Sequence, residues 1–374
     1  MTAIAWVGKG ALLGLLALGV GCRAAAPERV ALGASAYGAR RYLGALPFWE
    51  GPDPYGQGIV SMPHAFAVST ERERHGMLAE IWREGGRVQV ASEVLPGSVV
   101  VEASDGRGNL VYFRRPLTTE GDLYDLENDR LYLGDLRGHA PPRSLDVPPH
   151  QGGQLTAVCG YPGRFVAWVS GPAGYEARTF SAAAPAGTAV APQRWSPFWC
   201  AADERCSAAV LDRGAEPQLL RTDCDGRILE EALEDRWPTS TVLHPRGTLA
   251  SFQAEHRKST VVIRLPGGRP RTFALDGTAY AATYWNPSTL LVHVADGATD
   301  QPTHLRVVVL DAERGPIGEW NLDFARSASD RRALSDLALL PSRGNGRPLV
   351  VRLDDELVLI TGPGEVWTWR GGAP

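Results

Sequence analysis

The sequence predicts an all-β chain built from a repeated unit of short strands. Three observations carry that expectation. The 374 residues include 42 Gly and 28 Pro, about a fifth of the chain, which suits many turns and is high for a helical bundle. Apolar runs alternate with clusters of Gly, Pro, Asp or Asn. Similar runs also return along the chain, with three near-equal intervals in a row. A 3.6-residue period is confined to a short candidate helix at Ala328–Leu340, and its end, Leu337–Leu340, reads equally well as a strand.

The hydrophobic share of 44% and the charged share of 21% exclude a collagen, a coiled coil, a disordered acidic tail and a polytopic membrane protein. A net charge of −4 with no basic stripe argues against nucleic acid as a partner.

Taken from the N-terminus, residues 1–22 read as an export signal. Lys9 supplies the positive region, and Gly10–Gly21 is an uncharged run rich in Leu and Ala that ends at Cys22. As a helix that run would reach only about 18 Å, short of a hydrocarbon core of about 30 Å. Leu18-Gly19-Val20-Gly21-Cys22 resembles the lipobox of bacterial lipoproteins, with Gly19 where that family has Leu. The resemblance implies acylation of the Cys22 thiol and an anchor in the bilayer. An ordinary cleaved signal and an uncleaved anchor are the alternatives. Residues 23–54 lack periodicity and read as a tether.

From residue 55 onward the repeat begins. Ala65–Val68, Leu110–Phe113, Phe165–Trp168, Ser207–Val210, Leu249–Phe252, Leu290–His293 and Leu349–Arg352 look alike, at spacings of 45, 55, 42, 42, 41 and 59 residues. Turns with Pro and Gly or Ser precede them, clearest in His244-Pro245-Arg246-Gly247-Thr248 and Trp285-Asn286-Pro287-Ser288-Thr289. A further strand, a turn and another strand follow, as in Thr260–Leu265, Pro266–Gly268 and Arg271–Leu275. This pattern resembles the WD40-like repeats of TolB-type β-propellers. The resemblance implies a propeller of about seven blades (six to eight) over residues 55–374. A lone four-stranded sheet cannot bury both faces, whereas sheets stacked around an axis can. Val366–Trp369 is the strand expected to close the ring against an N-terminal strand.

Cys159, Cys200, Cys206 and Cys224 remain once Cys22 is set aside, and an even number in an exported chain favours disulfides. Cys200 and Cys206 flank a polar turn, so a hairpin disulfide between them is the first expectation. Cys206–Cys224, across neighbouring strands, is the second. Paired CxxC spacing is absent and no His lies near, so a zinc site is not expected.

No HExxH, GxSxG or P-loop is present. The histidines are scattered. His244 and Asn286 fall at equivalent places in the repeat, but one His and one Asn are not a catalytic set. Asp223-Cys224-Asp225-Gly226 and Asp354-Asp355-Glu356 read as turns. Trp195 and Trp199, with His244, Trp285 and Asn286, form the candidate binding face, because aromatic side chains dominate interface hot spots. The expectation is an exported, envelope-anchored lipoprotein on the periplasmic or surface side. Its propeller would bind a protein, peptide or glycan without catalysis, cofactor or metal. The alternative is a propeller hydrolase or lyase with a metal or acid/base site in the axial funnel.

Overall fold

The computed structural model describes residues 41–51, 59–62, 64–72, 74–115, 117, 130–138, 140–145, 155–171, 174–193, 197–202, 208–212, 218–233, 241–244, 246, 248–255, 257–297, 302–322 and 347–369. Every regular element among them is a β-strand. The candidate helix at 328–340 and the signal at 1–22 lie outside the described residues.

The strands form seven four-stranded antiparallel sheets among the described residues. Six of them are runs of four consecutive strands. The first holds β2 (Ile59–Met62), β3 (Ala65–Arg72), β4 (His75–Glu84) and β5 (Arg87–Pro96). The second holds β6 (Ser98–Ser104), β7 (Asn109–Arg115), β8 (Arg130–Asp135) and β9 (Arg143–Ser144). The third holds β10 (Leu155–Tyr161), β11 (Arg164–Gly171), β12 (Gly174–Phe180) and β13 (Thr188–Gln193). The fourth holds β14 (Pro197–Ala202), β15 (Ala208–Asp212), β16 (Gln218–Thr222) and β17 (Ile228–Leu233). The fifth holds β18 (Thr241–Leu243), β19 (Leu249–Glu255), β20 (Lys258–Arg264) and β21 (Arg271–Asp276). The sixth holds β22 (Thr278–Asn286), β23 (Thr289–Gly297), β24 (Pro302–Asp311) and β25 (Gly315–Asn321). The seventh joins both ends of the chain: β26 (Leu349–Leu353), β27 (Glu356–Ile360) and β28 (Glu365–Trp369), with β1 (Arg41–Ala45) outermost, paired to β28.

Burial explains the two kinds of strand text. Inner strands are covered on both faces by neighbouring sheets, so β27 is buried throughout. Outer strands alternate: in β20, Ser259, Val261 and Ile263 are buried while Lys258 and Thr260 face water. Each sheet packs on the next. The Ser69 hydroxyl accepts from the Val101 amide at 3.0 Å between the first and second. Gly160 of β10 lies so close to β6 that a Cβ there would overlap the Ser104 carbonyl. A disulfide joins the third sheet to the fourth, and β14 lies beside β18. The Thr248 hydroxyl donates to the Pro287 carbonyl at 2.6 Å between the fifth and sixth. Tyr280 and Thr283 donate to the Pro348 and Val350 carbonyls at 2.9 and 3.1 Å between the sixth and seventh. At the same boundary the Val350 amide donates to Nε2 of buried His293 at 2.9 Å, and burial lowers that imidazole from 6.5 to about 4. The ring closes between the seventh and first, where Phe66, Ile81, Val351 and Val358 share one core with Leu291 and Val307 of the sixth. Seven sheets in a closed ring make a β-propeller architecture.

Three expectations need correction. The stretch 23–54 is not all tether: Arg41–Ala45 is a strand, and Leu46 and Trp49 are buried. Their single apolar side chains carry no period because they fill a seam rather than pave a face. Leu349–Arg352 is not a second strand like the six runs before it but the inner strand β26; its counterpart is β27. Both are fully apolar in text because both are covered on two sides. Cys200 is bonded to Cys159, not to Cys206. In the hairpin, Cys200 stands opposite Val210, and Ala202 opposite Ala208, so the register gives Cys200 no cysteine across the hairpin. Cys206 itself lies outside the described residues.

Candidate functional site

Antiparallel strands reverse at each turn, so the first-to-second and third-to-fourth strand turns of every sheet emerge on one face of the ring. Those turns share one device. Oδ1 of Asp105, Asp135, Asp223 and Asp311 each accepts the backbone amide two residues on, at 2.8, 3.0, 2.9 and 3.0 Å. Asn286 does the same for Ser288 at 2.9 Å, and His244 accepts the Arg246 amide through Nδ1 at 3.1 Å. The equivalence of His244 and Asn286 in the repeat is therefore accounted for by turn capping. The His244 ring also packs edge-on to Tyr284, with centroids 5.0 Å apart.

On the same face a continuous stripe of Arg, Trp and acidic side chains crosses four sheets. At the sixth and seventh, the Arg352 guanidinium lies over the Trp285 ring, 4.7 Å from its centroid, and donates to the Trp285 carbonyl at 2.9 Å. It also donates to the Asp354 carbonyl at 2.6 Å. At the ring's closure, His64 Nδ1 bonds Asp354 Oδ1 at 2.7 Å, and Arg83 pairs with Asp355 and stands 3.9 Å from Asp354. His64 and Asp355 are the exposed members, at 58% and 60% of their side chains. At the first and second sheets, Arg137 lies over Trp82 at 4.5 Å and binds the Glu80 carboxylate with two nitrogens at 3.1 and 2.9 Å. Burial raises the Glu80 carboxyl above its usual 4.5, and Arg137 opposes that rise. Two Arg–Trp stacks thus flank an exposed His–Asp pair. Arg83, Arg137 and Arg352 balance Glu80, Asp354 and Asp355, which makes the stripe unlike a phosphate groove.

A second feature sits nearer the axis. Glu102 occupies the bulge between Val101 and Ala103 on the inner strand β6. Its loss of hydration raises the carboxyl from 4.5 to about 7, and no charge or hydrogen bond among the described residues offsets this. An acid whose folded-state value is raised supports the fold while protonated, below the unfolded 4.5, and loses that support as pH rises through 7. Glu102→Gln is therefore expected to stabilise the protein by up to about 3 kcal/mol at pH 8 and by nothing near pH 4.5. Urea unfolding of both proteins at the two pH values checks this; an equal gain at both would refute it. His293 contributes the opposite slope, but to both proteins alike.

Among the predicted face residues, Trp285 belongs to the stripe, and His244 and Asn286 cap turns on the same face. Trp199 lies in β14, and Trp195 falls outside the described residues, as does Cys22. Sequence reading passed over Arg352, Arg137, Trp82, His64, Glu80 and Glu102. For the two acids a signal existed. Each interrupts an apolar run, Met77-Leu78-Ala79-Glu80-Ile81-Trp82 and Val99-Val100-Val101-Glu102-Ala103, and a carboxylate is seldom buried without a partner or a role. The arginines carry no local signal, since their ring and acid partners come from other strands. Among the described residues, no three His, Cys, Asp or Glu side chains stand together as metal ligands would.

No protein family matches this chain, and neither does any curated protein sequence. Solved structures similar to it are WD40 and propeller-type folds. The WD40 domain of Toxoplasma gondii coronin is 8% identical, with TM-score 0.47, over 89% of this chain and 85% of that one. YCF48 bound to a D1 peptide is 12% identical, with TM-score 0.46, over 88% and 97%. TolB from Acinetobacter baumannii is 14% identical, with TM-score 0.38, over 73% and 65%. The propeller assignment rests on the closed ring of sheets itself.

Proposed function

We propose that this protein is an exported, lipid-anchored propeller of seven blades that works as a non-catalytic docking scaffold in the bacterial cell envelope. The observation that carries the docking reading is the stripe: two arginines stacked on tryptophans, on either side of the exposed His64–Asp354 pair. Trp and Arg are the residues most enriched at binding hot spots, and exposed polar groups around them supply orientation. The balanced charge suits a protein or peptide partner with both aromatic and ionic groups. The signal and lipobox-like residues 1–22 support the envelope address, with Cys22 as the acylated residue.

Photo-crosslinking amino acids at His64 and at Asp355, compared with one at exposed Val94 on the outer strand β5, test the site in intact cells. One discrete adduct at the first two positions and none at Val94 is expected. Equal labelling at all three, or none, would remove the stripe as a docking face. Incorporation of a palmitate analogue that disappears in Cys22→Ser tests the anchor separately.

The alternative, a propeller hydrolase or lyase, has Glu102 on its side. A carboxyl raised to about 7 near the axis is poised as a general acid. Under that reading Glu102→Gln abolishes function while leaving crosslinking at His64 intact; under the scaffold reading it leaves both intact.

A further inference from the structure

We infer that an arc of arginines on this same face, over the second to sixth sheets, binds an extended acidic segment of a protein partner. The inference rests on the docking reading and names the chemistry that the remainder of the face selects.

The capped turns carry it. In five of them, among the described residues, the amide held by the capping side chain is an arginine's: Arg107 at 2.8 Å, Arg137 at 3.0 Å, Arg227 at 2.9 Å, Arg246 at 3.1 Å and Arg314 at 2.9 Å. The caps fix these backbones and spend their own charge beneath them. Asp105 and Asp311 are only 1% and 8% exposed, and Asp105 also accepts from the Asn109 amide and side chain at 3.0 and 2.6 Å. Arg107, Arg227, Arg246 and Arg314 stand exposed above them. Arg164 supplies the third sheet, with 41% of its side chain exposed.

Charge does not cancel here as it does along the stripe. Among the described residues, no carboxylate pairs with the side chain of Arg107, Arg227 or Arg246. Arg164 pairs with Asp225 at 2.9 Å, and Arg314 stands 3.5 Å from Asp311. Glu313 is a further exposed acid. The stretch 203–207, with Asp203, Glu204 and Arg205, lies outside the described residues. The arc is continuous from sheet to sheet. Arg107 Nη1 lies against Gly163, 3.5 Å from where a Cβ would stand. The Arg164–Asp225 pair crosses from the third sheet to the fourth, and Arg271 of the fifth donates to the Glu313 carbonyl of the sixth at 2.6 Å.

Spacing selects the ligand. Packed sheets lie about 10 Å apart, so arginines on successive sheets repeat at about that distance. A polyproline-type chain turns once in three residues and rises about 3.1 Å per residue, so every third side chain points the same way about 9 Å further on. Carboxylates at every third position therefore meet one arginine after another, and the guanidinium fork matches a carboxylate with two parallel hydrogen bonds.

Fluorescence anisotropy on the full-length protein tests this with a labelled peptide of Glu-Pro-Pro repeats. Binding is expected, and raising the salt from about 0.05 M to about 0.3 M should weaken it by on the order of tenfold. Arg107→Gln, Arg227→Gln and Arg246→Gln together should weaken it by at least about tenfold without moving the thermal midpoint, because all three side chains are exposed. Arg74→Gln, on the opposite face, should change nothing. No binding, equal binding by the triple variant, or equal binding of a Gln-Pro-Pro peptide would overturn the inference. Equal binding of a peptide with its glutamates in one block would overturn it too, as would tighter binding to inorganic polyphosphate or to phosphatidylglycerol vesicles. A His64 crosslink without peptide binding would sink the arc and leave the stripe. Peptide binding lost in the triple variant, with no His64 crosslink, would sink the stripe and leave the arc.

Discussion

Replacing Cys159 and Cys200 together by alanine is expected to cost about 4 kcal/mol of folding stability, by loop-closure entropy in the unfolded chain. The two residues are 41 positions apart with Cα atoms at 5.5 Å, so the bond removes the freedom of a long loop. Its surroundings amplify the effect. Cys159 is buried against Tyr161, Val166 and Trp168, and the bond ties together inner strands β10 and β14, which pack side by side. The double variant is the right one, since a single replacement leaves a thiol free to exchange with other cysteines. Urea denaturation should show a lower midpoint with an unchanged slope. A loss under about 1 kcal/mol would mean that the unfolded chain is already compact around this pair.

The second large effect is expected at the seam. Trp49→Ala should cost about 3–5 kcal/mol, the range for emptying a large aromatic site in a core. Trp49 is 1% exposed and packs with core residues of the sixth, seventh and first sheets. Its Nε1 donates to the Arg347 carbonyl at 2.9 Å, across 298 residues of chain. The Leu46 amide likewise donates to the Gly364 carbonyl at 2.9 Å. Alanine would leave a void and remove the indole donor from a part-buried carbonyl, at the sheet that joins strands from both ends of the described chain. Trp49→Phe should recover most of the packing but not the hydrogen bond, a residual loss of about 1 kcal/mol. If alanine were tolerated with a loss below that, the seam would not be what closes the ring.

Much of this architecture was legible in advance, and the reason is local. A strand between two sheets needs an apolar run, and a turn between strands needs Gly, Asn, Asp or Pro. Both requirements are met within a few neighbouring residues, so the runs at 65, 110, 165, 249 and 290 are strands as read. The turns at Asp223–Gly226 and Asp354–Asp355 are likewise turns. Closure by Val366–Trp369 against an N-terminal strand was also readable, because a closed ring needs its edge strands paired, and β28 does pair with β1.

The candidate site was legible only in part. Trp285, His244 and Asn286 stand out because they sit beside turn residues, and two of the three prove to cap those turns. Arg352 and Arg137 do not stand out, because one arginine looks like any other until a Trp from another strand is placed beneath it.

By itself, then, the sequence determined the strand-and-turn alphabet, a repeat clearest in three successive intervals of 41 to 42 residues, and the all-β class, since these depend on side chains interacting with their own neighbourhood. Only the tertiary structure decided the partners. Cys159 and Cys200 are one repeat apart, a spacing visible in the text, but a repeat places equivalent positions side by side only once the sheets are stacked. The seam through Trp49 and the His64–Asp354 pair join residues 298 and 290 positions apart, and the Arg–Trp stacks join side chains of different sheets in the same manner. Distant contacts of this kind are set by how the ring closes, and closure is a property of all seven sheets together.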